Sequence, residues 1–146
     1  MKKLFAIAFL LWACTAVAHP INDEMFERLF EAKLKMMQDE LDLTKHQVNE
    51  FAPIYKEYNK EIQKVREQAW EKRKNAPKDT PKDAAKLMRL RADSRIDMLK
   101  IQKKYYSQFE KVLTAKQILK FDHAETKIQK KITEHFKKFQ KKGRKQ

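Results

Sequence analysis

The chain has 146 residues, a formal net charge of +14 and a pI near 9.8, with one glycine, four prolines and one cysteine. Strand-built folds need Gly, Asn-Gly or Pro-Gly turns, which this composition lacks, so it argues for an all-α chain. With 42% hydrophobic and 37% charged residues and a mean hydropathy of −0.83, the pattern fits long amphipathic helices in one elongated domain better than a compact sphere.

Basicity of this size points to an anionic partner without choosing among nucleic acid, membrane surface and acidic protein. The N-terminus narrows the choice. Lys2 and Lys3 precede the apolar run Leu4 to Trp12, and Ala16 and Ala18 supply the small residues of a cleavage site before His19. Residues 1–18 therefore read as a secretory signal peptide. The apolar run is too short to span a bilayer and has no second copy downstream, so a mature chain without a membrane span is expected. A competing reading takes Leu11-Trp12-Ala13-Cys14 as a lipobox with Cys14 as the lipidated N-terminus, against which the bulk of Trp12 counts. Cleavage after Ala18 removes the only cysteine and two lysines, leaving a charge of +12 and no possible disulfide. Export, and the absence of helix-turn-helix, zinc-finger and RNA-binding patterns, argue against nucleic acid as a partner.

Residues 19–142 read as one helical domain and 143–146 as a basic tail, with helices expected at about 22–41, 45–74, 81–112 and 115–141. Asn22 can cap the first, with Asp23 and Glu24 in its first turn where acidic charge suits the helix dipole. Phe26, Leu29, Phe30, Leu34, Met37 and Leu41 then form one apolar stripe, which Met25 and Met36 widen. In the second helix Val48, Phe51, Tyr55, Tyr58, Ile62, Val65 and Ala69 follow a heptad spacing, the mark of helices packed side by side. Pro53 interrupts that helix on the face away from the seam, where a bend is expected rather than a break. Trp70 lies beside the seam as either an apolar handle or the last layer of packing. Thr80, Pro81 and Asp83 announce the third helix, whose first half is crowded by Arg89, Arg91 and Arg95 while its second half is apolar. Phe121, Ala124, Ile128, Ile132, Phe136 and Phe139 share a face of the fourth, which ends in a lysine-rich run.

One pattern occurs twice. Leu43-Thr44-Lys45-His46-Gln47 returns as Leu113-Thr114-Ala115-Lys116-Gln117, each with Phe eight residues after Leu. Thr as N-cap and Gln at N3 form a capping box, and Leu before the cap with Val48 or Ile118 at N4 form a hydrophobic staple. Both copies thus start a helix. Catalytic chemistry is not in view: Ser94 and Ser107 have no neighbouring histidine, and no phosphate-cradling glycine loop exists. His19, His46, His123 and His135 form no metal-ligand pair, so no metal and no cofactor are expected.

A small, basic, exported, all-helical chain with two LTxxQ motifs resembles the Spy/CpxP family of periplasmic proteins. The resemblance implies a thin four-helix protomer whose long helices pair antiparallel in a homodimer, a curved coiled-coil-like cradle. It implies an ATP-independent chaperone for unfolded or misfolded envelope proteins, although some relatives inhibit a sensor kinase or bind zinc or copper. Leu43, Thr44, Gln47, Leu113, Thr114 and Gln117 are the motif positions, structural helix caps by this reading. No His-rich metal segment accompanies them. A Skp-type chaperone is similarly small, basic and helical, but needs strands that are not evident.

The leading expectation is a periplasmic holdase that steers clients by charge and holds them on small apolar patches. Met25, Phe26, Phe30 and Met37 are the candidate apolar contacts and Arg89, Arg91 and Arg95 the candidate steering charges, while core packing is the competing reading for the four apolar ones. The alternatives are an envelope-stress regulator docking the periplasmic domain of a sensor kinase, a metal-responsive sensor, and an adaptor for anionic lipid or polysaccharide acting through the lysine-rich tail.

Overall fold

The computed structural model describes residues 22–143; the expected signal segment with Cys14, His19 and the last three tail residues lie outside them, as do the side chains of Phe136 and Phe139. Four helices follow one another, α1 (Asp23–Leu41), α2 (Lys45–Lys74), α3 (Pro81–Phe109) and α4 (Ala115–Gly143), and no strand occurs among the described residues.

Local chemistry sets each boundary. The Asn22 side chain accepts the Met25 N–H at 2.8 Å to open α1. Asp42 closes α1 in the left-handed region at φ 52°, where both its own N–H and that of Leu43 return to the Gln38 carbonyl. Asp and Asn tolerate that conformation better than most residues do, and here no glycine is present to take it. α2 runs unbroken through Pro53, which is exposed. Thr80 caps α3 by accepting the Asp83 N–H at 3.1 Å, with Pro81 as the first helical residue.

α3 ends at Phe109 rather than near 112. Residues 110–112 tighten into a turn in which Lys111 N–H reaches Gln108 O at 3.2 Å and Val112 N–H reaches Phe109 O at 3.0 Å. Val112 and Leu113 still face the core from this turn, so apolar spacing alone extends the helix too far.

α2 and α3 pack as an antiparallel pair, and α4 runs back along α1. The core is aromatic. Phe51, Tyr55, Phe109 and Phe121 are fully buried, with ring centroids 4.7 Å apart for Phe109–Phe121 and 5.0 Å for Phe51–Tyr55, well inside the favourable range for aromatic pairs. All four helices contribute to this core near the two LTxxQ turns. Burial thins along the other end of the α2–α3 pair, where Ala69 is the only buried residue of α2 after Ile62 and α3 has none before Tyr105. That end forms an arm held mainly by its own two helices.

Candidate functional site

The two LTxxQ segments meet. Each is a complete capping box: Gln47 N–H donates to Thr44 Oγ1 at 3.2 Å while Thr44 N–H donates to Gln47 Oε1 at 3.1 Å, and the Thr114–Gln117 pair repeats this at 3.3 and 2.9 Å. The glutamine amides also bond each other in both directions, Gln47 Nε2 to Gln117 Oε1 at 2.8 Å and Gln117 Nε2 to Gln47 Oε1 at 3.2 Å. Each then crosses to the turn that precedes the other motif. Gln47 Nε2 donates to Val112 O at 3.2 Å and Gln117 Nε2 to Leu41 O at 3.1 Å. Leu43 and Leu113 are buried beneath. The motif pair is therefore a reciprocal clasp that joins the α1–α2 turn to the α3–α4 turn, a tertiary role beyond the two local caps.

About two helical turns along the bundle from the clasp lies a buried polar ladder. Lys33, buried in α1, donates to Asn59 Oδ1, and Asn59 Nδ2 donates to Tyr55 O at 2.7 Å. Tyr55 Oη donates to Glu125, whose other carboxylate oxygen lies 3.8 Å from Lys33 Nζ. Burial holds the Lys33 ammonium below its usual range, an effect that Glu125 opposes and Arg66 reinforces. Burial and the Glu125 charge together push the Tyr55 phenol well up. No side-chain polar atom in the described core lacks a partner, so the ladder closes on itself and fixes α1, α2 and α4 in register.

The arm carries a different surface. Arg66 and Arg73 of α2 and Arg91 and Arg95 of α3 surround one open cavity. None of the four makes an ion pair with a described residue; Arg66 reaches Gln129 Oε1 at 3.4 Å, Arg73 donates to Ala69 O at 2.9 Å and Arg91 to Met88 Sδ at 3.8 Å. The acids of the chain pair mostly with lysine, as Glu40 does with Lys127 and Glu61 with Lys104, both at 2.7 Å. Large apolar side chains stand among these cations: Trp70 is 43% exposed, Ile96 50%, Met88 57% and Leu99 62%.

The candidate contact residues separate accordingly. Met37 is fully buried and Phe30 nearly so, because their stripe packs against Tyr55 and its neighbours; these two belong to the core and present almost no surface to a client. Phe26 is half-buried, packed on the core and lining a cavity between α1, α2 and α4. Met25 is exposed. Arg89, Arg91 and Arg95 are all exposed, and the last two join the arginine cavity. Arg66, Arg73 and Trp70 belong to the same surface, and the two α2 arginines are absent from the sequence-based candidates. Their signal was the spacing Arg66, Trp70, Arg73, which keeps all three on one side of α2 beside the seam. Among the described residues, no group of three or more His, Cys, Asp or Glu side chains is placed to hold a metal ion. No described helix is long and apolar enough to cross a membrane.

The model of the LTXXQ motif family matches residues 30–125, from the middle of α1 into α4, and so takes in both halves of the clasp. No curated protein and no solved structure matches the chain.

Proposed function

The chain belongs to the LTXXQ motif family, and on that premise we propose that it is an ATP-independent periplasmic chaperone that captures unfolded or partly folded envelope proteins, a binding protein rather than an enzyme. The observation that carries the reading is the arm: exposed arginines without acidic partners, interleaved with exposed Trp70, Met88 and Leu99, on a scaffold whose buried polar side chains are internally satisfied. Cations draw a client in over a long range, and scattered apolar side chains hold it loosely enough for it to fold or leave. Arg89, Arg91 and Arg95 do the steering in this reading, with Met25, Phe26 and Trp70 as apolar contacts. The signal-like N-terminus supports the periplasmic location.

The exposed stripe of Met88, Ile96 and Leu99 on α3 is, in the same proposal, where a second copy pairs antiparallel to build the cradle. A Leu99→Glu variant is expected to shift the chain to monomer in sedimentation. The activity itself is tested by light scattering from a chemically denatured protein diluted into buffer without nucleotide. Aggregation should fall with each added equivalent of this chain, and less so at raised salt. Failure at every ratio would refute the chaperone reading, and tight saturable binding to one sensor domain in its place would make the chain a regulator.

A further inference from the structure

We propose that one face of α2 forms a binding trough for a single-chain anionic amphiphile, a carboxylate or phosphate head on a hydrocarbon tail. Asn59, Ile62, Arg66, Ala69 and Arg73 recur at spacings of three and four, so they lie along one side of the helix. The stripe is about 20 Å long at the helical rise per residue. Two open cavities lie end to end on it and share Arg66. The first, about 260 Å³, is walled by Phe26, Leu29, Ile62 and Ile132. The second, about 310 Å³, is the basin of Arg66, Arg73, Arg91 and Arg95.

The two ends select opposite chemistry. Four arginines line the basin, and no carboxylate of a described residue is paired to any of them. Planar guanidinium forks suit the paired oxygens of a carboxylate or phosphate, and gathering four of them without a counter-charge is stabilised by an anion. In the apolar cavity the polar side chains each make a bond within the chain. Lys33 bonds Asn59, Gln63 bonds Glu67 at 2.9 Å, Gln129 receives Arg66, and Thr133 donates to Gln129 O at 2.8 Å. A peptide backbone laid there would bring an N–H and a C=O with every residue against walls that are mostly apolar, at the usual cost of burying amides that find no partner. A hydrocarbon tail brings none and gains contact with four apolar walls. Head in the basin and tail in the apolar cavity therefore form one continuous occupant.

Binding of such a molecule does not depend on the chaperone reading and is measured separately from aggregation. Calorimetric titration of the purified chain uses dodecanoate and dodecyl phosphate, each below its micelle-forming concentration, with circular dichroism to follow helix content. One molecule per chain is expected for both probes, with inorganic phosphate alone much weaker. The exposed pair Arg91→Gln/Arg95→Gln should weaken both by roughly tenfold or more. Leu29→Phe, which narrows the apolar cavity, should weaken the tailed probes and leave inorganic phosphate unchanged. Equal binding of dodecyl maltoside, unchanged binding in the folded arginine variant, or many molecules per chain with loss of helix would overturn the assignment. So would binding confined to phosphatidylglycerol vesicles, or tighter binding of an Asp- and Leu-rich peptide in competition with the probes.

Discussion

If the LTxxQ pair is a clasp, Gln47 and Gln117 must be energetically coupled across the 70 residues that separate them. Gln47→Ala removes the acceptor of the Thr44 N–H, the bond to Val112 O and the amide pair with Gln117. The amide pair is two bonds, so four are lost in all; at about 1 kcal/mol net for each, the loss is on the order of 4 kcal/mol, and Gln117→Ala should cost a similar amount. Thr44→Ala touches only the local cap and should cost about 1 kcal/mol. Because the reciprocal amide bonds are lost in either single variant, the double variant should fall short of the summed singles by roughly 1–2 kcal/mol, whereas independent sites would add to within about 0.5 kcal/mol. Urea unfolding followed by far-UV circular dichroism reads this directly in a chain of this size. Additive losses of about 1 kcal/mol each would reduce the motif to two separate caps and refute the clasp.

Other outcomes follow from the core. Burial is the first cause that raises the ionisation of Tyr55, Tyr58, Tyr105 and Tyr106 above the usual 10.0. A raised folded value contributes stability that is complete below the unfolded value and is lost as pH rises through the folded one, so urea midpoints should hold to about pH 9 and fall beyond 10. Lys33, with a lowered value, works in the opposite direction there, but it is one group against four. A flat or rising midpoint from pH 9 to 11 would contradict the tyrosine assignment, and Tyr105→Phe should soften the fall. Glu125→Ala leaves the buried Lys33 ammonium without its counter-charge and should cost on the order of 3 kcal/mol. Lys33→Met removes that charge and should cost less than Glu125→Ala; the reverse order in urea unfolding would mean that the ladder is not held by charge. Asp42→Gly relieves the left-handed cap of α1 and should raise stability by roughly 0.5 kcal/mol, with a fall counting against the strain at φ 52°.

Much of this fold was legible because helix signals are local. Asn22, Thr44, Thr80 and Thr114 open the four helices as capping chemistry requires, and the seam from Phe51 to Ala69 points inward as its spacing implies. Periodicity failed where it is blind to the partner surface. It extended α3 past Phe109, since Val112 and Leu113 face the core from a turn as well as from a helix. It also leaves open which stripes are covered: Met37 has the spacing of a contact residue but lies in the core, while the Met88–Leu99 stripe is exposed. The clasp was invisible for another reason. A capping box accounts for Thr44 and Gln47 completely within one turn, and nothing local announces that Gln47 Nε2 has two further acceptors from distant turns. The arginine basin likewise arises only once α2 and α3 lie antiparallel and bring Arg73 against Arg91 and Arg95.

The proposed function divides the molecule into a scaffold held by the clasp and an arm that captures clients, and one comparison tests that division. Aggregation suppression is measured for Arg89→Gln/Arg91→Gln/Arg95→Gln and for Gln47→Ala, at a temperature where both are folded by circular dichroism. The predicted result is that the arginine variant loses most of its suppression while the clasp variant, though less stable, keeps it. An arginine variant as active as the parent chain, beside a folded clasp variant that no longer protects the client, would contradict the account.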